Sequence, residues 1–172
     1  STTKGFTDEG VQVLTVVANK INPGQEAEIR THLTQALPSG IIVTSIPSHQ
    51  DLGNPTMKEI YESVGGKILF GEHLLSNQVN TSIVGAMQLH NCLTRLSKNT
   101  LIVTPGDRGD IIIGALQANI SRNYQKIAGI VLTGGLIPEP TILKLIEGLE
   151  TVVPIIAVES GTFKTVNRVA NT

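Results

Sequence analysis

The residues of this chain best placed to do chemistry stand in two short runs, Pro105-Gly106-Asp107-Arg108-Gly109-Asp110 and Thr133-Gly134-Gly135. Each run follows an apolar, β-branched stretch that stops at a glycine-rich corner. Glycines at a strand-to-helix corner let another backbone or a ligand approach closely, and amides at the start of the next helix can hold an anion. Arg108 is the one evident anion partner. Asp107 and Asp110 would repel a phosphate at short range unless a magnesium ion bridged them, and aspartate is also a favoured helix N-cap. At the second corner, paired glycines free the backbone for positive φ, and the Thr133 hydroxyl can bond a neighbouring loop. Two readings stay open. The six residues Gly106, Asp107, Arg108, Thr133, Gly134 and Gly135 form either a ligand site in a shared crevice or a structural corner that caps helices and contacts another domain or subunit. The structural reading is preferred at the first corner; at the second, a simple tight turn before Pro138 and Pro140 stands level with the shared crevice. A Walker A phosphate loop is excluded, because no Gly-Lys-Ser/Thr follows four residues after a glycine.

Nothing else in the chain forms a reactive constellation. His32, His49, His73 and His90 are scattered without the i, i+4 spacing of a metal site. Cys92, the single cysteine, falls on the apolar helical face Leu89, Cys92, Leu93, Leu96 and reads as a small buried hydrophobe. No catalytic residue, metal or cofactor is therefore expected. Thirteen basic residues against 14 acidic ones give a formal net charge of -1, which removes the attraction a nucleic-acid binder uses. The mean hydropathy of +0.14 comes from short Ile, Val and Leu runs, none near the roughly 20 apolar residues of a membrane span. No nucleic-acid or membrane partner is expected, and without a signal peptide the address is read as cytoplasmic. The absence of an initiator methionine, with an ending inside a helical pattern (Phe163, Val166, Val169, Ala170 as its apolar stripe), reads as a segment of a longer protein.

The elements that must position the corners alternate along the chain. Val11 to Asn19 is predicted as a strand, Gln25 to Leu37 as a helix and Ile41 to Ile46 as a second, parallel strand. A polar linker, Ser48 to Pro55, separates this crossover from the rest. Thr56-Met57-Lys58-Glu59 is a capping box. Strands follow at Lys67–Phe70, Ser82–Met87, Leu101–Thr104, Ile130–Leu132 and Pro154–Val158. Helices are expected at Glu72–Asn77, Leu89–Leu96, Asp110–Asn119 and Thr141–Glu150. Strands of nearly continuous hydrophobicity separated by helices mean a sheet covered on both faces, an α/β domain of three layers (α/β/α) with a mostly parallel sheet. The run Ile111-Ile112-Ile113 at the start of a helix predicts shielding on both sides, between layers or between subunits.

The Asp107-Arg108 pair after a strand, with Thr133-Gly134-Gly135 ending the next, resembles the DRTGG domain, although Gly109 directly follows Arg108. The resemblance covers roughly Leu52 to Thr172 and includes LGNPT at Leu52, VGAM at Val84 and TGGLIPEP at Thr133. It implies a fold like the amino-terminal domain of HPr kinase. The leader, TVVANKINPG at Thr15 and GIIVTSIPSHQDLGNPT at Gly40, is similar to the end of a dethiobiotin-synthetase-like (cobyrinic-acid-synthase-like) domain, a βαβ remnant of a P-loop-like fold. Residues 1–51 and 52–172 are the domains so implied. That order resembles the amino-terminal half of long-form bacterial phosphate acetyltransferases, whose catalytic domain follows the DRTGG region. The resemblance implies a regulatory and oligomerisation segment without catalytic residues. Its partners would be further copies of itself, the acetyltransferase domain and, optionally, a small-molecule effector. The alternative it leaves is a nucleotide- or metabolite-sensing module, as in pyrophosphatases that carry CBS domains. A small enzyme acting through the Asp107 corner is the least favoured reading, for want of a base, nucleophile or metal cluster.

Overall fold

The computed structural model describes residues 5, 6, 8–48, 53–150 and 152–172. His49 and half of the expected linker, residues 49–52, lie outside them. The chain divides into two compact units, Ser1–Gly53 and Asn54–Thr172.

In the first unit, β1 (Thr15–Ile21), α1 (Glu26–Ala36) and β2 (Ile42–Pro47) form a strand-helix-strand crossover with parallel strands, paired from Thr15 with Ile42 to Asn19 with Ile46. β1 begins at Thr15, not at Val11. Pairing starts where the Ile42 amide donates to the Leu14 carbonyl (3.0 Å), so residues before it have no strand beside them. Val11 and Leu14 are accordingly exposed.

The second unit holds α2 (Met57–Val64), β3 (Lys67–Phe70), β4 (Thr81–Val84), α3 (Leu89–Leu93), β5 (Thr100–Pro105), α4 (Gly109–Ile120), β6 (Ile127–Thr133), α5 (Pro140–Glu147), β7 (Ile155–Ala157) and α6 (Thr162–Ala170). Its five-stranded sheet has the order β3-β7-β6-β5-β4, parallel throughout except for β3, which runs antiparallel to β7. From β4 to β7 every step moves one strand in the same direction. The helices of those three crossovers, α3, α4 and α5, therefore pile onto one face around Cys92, Ile112, Leu116 and Ile146. The other face is closed by α2 and α6, with Met57, Ile60, Val64 and Val169 over Leu101, Val103, Val131 and Ile156. The result is the three-layer α/β/α arrangement.

Local chemistry explains the elements. α2 starts with the expected capping box: the Glu59 amide donates to Thr56 Oγ1 (3.3 Å) and the Thr56 amide donates to Glu59 Oε2 (2.7 Å). Met57 then reaches β6 only because residue 129 is glycine; a Cβ there would lie 2.5 Å from Met57 Cε. In α4, Ile111, Ile112, Ala115 and Leu116 are buried against the sheet. Each large one of these side chains contributes about 1.5–3 kcal/mol over an exposed position. Gly114 lets Leu89 of α3 pack directly on the helix backbone, since a Cβ there would meet Leu89 Cδ1 at 2.3 Å. The shielding expected of the triple isoleucine thus comes from neighbouring layers of the same unit.

Further sequence expectations change, beginning with the strand expected at Ser82–Met87, which is Thr81–Val84. The helix expected at Glu72–Asn77 is a single 3₁₀ turn, Glu72–Leu74, because the Leu75 and Asn77 carbonyls accept from the first amides of α2 instead of continuing a helix. In α6 the buried line is Thr165 and Val169, whereas Phe163 is 82 % exposed. Thr165 can be buried because its hydroxyl bonds Ser160 Oγ (2.8 Å) and the Gly161 carbonyl (3.1 Å).

Candidate functional site

The two glycine corners are neighbours. β5 and β6 pair side by side, with Pro105 opposite Thr133, and the Gly106 amide donates to the Thr133 carbonyl (3.3 Å). A Cβ on Gly106 would stand 1.9 Å from the Leu136 carbonyl oxygen, so the second corner lies directly on the first. Topology gives the reason. Ligand crevices in open α/β sheets form where adjacent loops diverge to opposite faces at a switch in strand order. Here the loops after β5 and β6 both lead to helices on the same face, and they pack together.

Arg108 is engaged from three sides. Its Nε and Nη2 donate to the two Asp110 carboxylate oxygens, both at 2.8 Å, and its Nη1 and Nη2 donate to the carbonyls of Ala86 (3.3 Å) and Met87 (2.9 Å). The guanidinium hydrogen bond holds the Asp110 carboxyl below its ordinary range, and the same bond raises Arg108 further. The side chain ties the loop after β4 to the first turn of α4. Asp110 thus acts through this fork in the first helical turn; neither aspartate is the N-cap, a position held by Arg108 with no side-chain capping bond. Asp107 is exposed at the turn closed by the Arg108 amide and the Pro105 carbonyl (3.2 Å).

The second corner is braced in the same way. Thr133 is buried and its hydroxyl pairs with that of Thr162 at 2.8 Å. Gly134 and Gly135 take φ of 84° and 67°, and their amides donate to the Ser160 (2.9 Å) and Val158 (3.0 Å) carbonyls. A Cβ on Gly135 would also meet Glu159 Oε2 at 2.6 Å. Exposed to solvent at the braced corners are Asp107, Asp110, Gly134 and Gly135 with the apolar Leu136 and Ile137, the last two 42 % and 56 % exposed.

Sequence reasoning overlooked two features. One is Glu159, exposed at the same sheet edge, beside a cavity of about 170 Å³ that Gly66, Lys67 and Ile137 also line. The other lies at the opposite edge: a cavity of about 490 Å³ among Asn77, Asn119 and Lys126. Its one sequence signal was Asn119, a poor helix former in the last turn of an otherwise apolar helix. Among the described residues, no group of three or more histidines, cysteines or carboxylates is placed to hold a metal. Likewise none of their helices is long and apolar enough to cross a membrane.

An open α/β unit whose Asp-Arg and Thr-Gly-Gly corners interlock defines a class. The chain belongs to the DRTGG domain family, whose profile matches residues 59–172. It is 40 % identical over 162 residues to a phosphate acetyltransferase of Synechocystis sp., covering 93 % of this chain and 23 % of that protein. Phosphate acetyltransferases of Nitratidesulfovibrio vulgaris and Pseudomonas putida match at 35 % and 30 % identity, over 92 % and 91 % of this chain and again 23 % of their own length. The chain thus spans under a quarter of the length of these relatives. Among solved structures it resembles the CBS and DRTGG domains of the regulatory region of Clostridium perfringens pyrophosphatase, complexed with its activator diadenosine tetraphosphate. There the TM-score is 0.54 at 12 % identity, over 91 % of this chain and 73 % of that one. At that identity the likeness is one of fold.

Proposed function

We propose that this chain is a non-catalytic regulatory and self-association segment of a phosphate acetyltransferase, the class of enzyme that interconverts acetyl-CoA and phosphate with acetyl phosphate and CoA. One observation carries the reading: relatives of that name match nearly the whole chain at 30–40 % identity, yet the match is only 23 % of their length. Acetyl transfer then belongs to polypeptide outside this stretch. The chemistry of the corners agrees, because Arg108 spends its hydrogen bonds on Asp110 and two backbone carbonyls.

In this reading Gly106, Asp107, Arg108, Thr133, Gly134 and Gly135 build a rigid corner that offers Asp107, Leu136 and Ile137 to another copy or to the acetyltransferase domain. Residues 1–51 are the end of a dethiobiotin-synthetase-like domain and residues 52–172 the DRTGG domain. The setting is bacterial acetate metabolism in the cytoplasm. The purified chain should show no acetyl transfer, and sedimentation velocity should show association that rises with concentration. Measurable turnover would sink the reading. So would a strictly monomeric chain whose removal from a full-length enzyme changed neither assembly nor effector response.

A second reading, a metabolite-sensing module, is favoured by the fold likeness to a regulatory region solved with a bound activator. Calorimetry with adenine nucleotides, NADH, pyruvate and acetyl-CoA separates the two. Saturable binding that Arg108→Ala weakens favours the sensor; association without any ligand favours the interface.

A further inference from the structure

The cavity at the amino-terminal edge of the five-stranded sheet is built from side chains that are each half used. Asn119 is only 4 % exposed, and its Oδ1 accepts from the Ile127 amide (3.0 Å). A backbone donor at that oxygen fixes the orientation of the carboxamide, so the nitrogen must be the other atom. Nδ2 then lines the cavity with no protein acceptor among the described residues. No buried side-chain nitrogen or oxygen among the described residues lacks a partner, so this nitrogen is reached by solvent through the cavity and is open to a ligand there. Asn77 shows the complementary arrangement. Its Nδ2 donates to the Ala128 carbonyl (3.1 Å), leaving Oδ1 without a protein donor among the described residues. The Lys126 ammonium donates to the Asn119 carbonyl at the end of α4 and keeps two N–H groups in hand.

These bonds anchor Asn119 and Asn77 to consecutive residues at the start of β6, Ile127 and Ala128, and Lys126 to the end of α4. The cavity is therefore preformed, with a cation and an amide donor near one acceptor. No aspartate or glutamate lines it, and Leu74 and Val153 give it apolar walls. Its volume, about 490 Å³, lies within the range of small-molecule sites. We propose that this cavity binds a small organic oxyanion that also carries a hydrogen-bond donor, a hydroxy- or amino-carboxylate. The carboxylate meets Asn119 Nδ2 and the Lys126 ammonium, the hydroxyl or amino group meets Asn77 Oδ1, and the short carbon chain rests on Leu74 and Val153.

The test is a ¹H–¹⁵N NMR titration of the 172-residue chain, following the carboxamide signals of Asn77 and Asn119. The probes are lactate, malate and serine, with inorganic phosphate and AMP run in parallel. Saturable shifts with at least one of the first three, tighter than with phosphate or AMP, are expected. Ser76→Asp places a carboxylate at the exposed rim without touching any of the anchoring bonds and should weaken that binding about tenfold or more. Lys126→Gln should weaken it as well, and a melting curve on that variant separates lost binding from a lost helix cap. No saturable response to lactate, malate and serine overturns the proposal. So does a response equalled by phosphate or AMP, or one that Ser76→Asp leaves unchanged.

Discussion

Gly106 and Leu136 occupy the same space that a side chain and a carbonyl would contest: a Cβ on Gly106 would sit 1.9 Å from the Leu136 oxygen and 2.5 Å from its carbonyl carbon. Contact this close between two backbones is what makes the two signature corners of the domain one object. It also gives a sharp mutational test. Gly106→Ala must push the whole Thr133–Leu136 loop aside, a cost of about 3 kcal/mol or more. Gly148→Ala, where a Cβ would meet nothing closer than 3.6 Å and φ is -79°, should be neutral or stabilising by about 0.4–1 kcal/mol. Urea unfolding of both variants checks the contrast; similar stabilities would refute the close approach.

Arg108→Lys should cost about 1–2 kcal/mol despite keeping the charge, since an ammonium cannot hold two carboxylate oxygens and two carbonyls in one plane. Asp110→Asn should cost less, under about 1 kcal/mol, because that half of the pair is half exposed and screened by water. A double-mutant cycle by chemical denaturation measures the coupling. If Arg108→Lys proves neutral, the bridge to Ala86 and Met87 does not brace the domain.

Stability should fall in acid in a way that depends on Asp110. Its carboxyl titrates lower in the folded chain than in the unfolded one, so the unfolded state binds the proton first as pH falls. The contribution is complete above the ordinary aspartate value of about 3.9 and is lost as pH drops from there through the depressed folded value. Glu59, held low by its bonds to Thr56, acts with the same sign. Denaturation midpoints of Asp110→Asn should therefore decline less steeply below about pH 4 than those of the parent. Parallel curves would refute the assignment.

Cys92 should resist alkylation in the folded chain. The thiol is buried, and burial pushes its titration upward, so little thiolate forms and less is accessible. Iodoacetamide should label it at near the rate of global unfolding in buffer and rapidly in denaturant. Fast labelling of the native chain would contradict the packing around α3.

Much of this fold was legible because its signals are local. The Thr56–Glu59 capping box spans four residues, and the Lys67–Phe70 strand ends against glycine on both sides. Both are where the sequence put them. The Asp-Arg corner was read only in part. Its residues were singled out, but Arg108 reaches carbonyls 21 and 22 positions earlier in the chain, a partnership no spacing rule encodes. Phe163 misled for a different reason. A stripe including Phe163, Val166, Val169 and Ala170 fits an apolar face by side-chain type, yet Thr165 takes the buried position once its hydroxyl is satisfied by Ser160 and Gly161. Asn119 and Asn77 were passed over as functional residues, because each reads in sequence as the polar end of a helix, and its bond to the start of β6 spans 8 or 51 positions.

The two helices on the second face of the sheet come from opposite ends of the unit: the Arg168 guanidinium reaches the Val64 carbonyl across 104 positions. Until ribosomal synthesis has delivered α6, half of that hydrophobic layer has no lid, whatever the strands have already achieved. Contacts so distant along the chain make closure a late and slow event. Shortening the polypeptide by a single terminal helix would therefore be expected to leave a sticky, half-dressed sheet, not a slightly smaller domain.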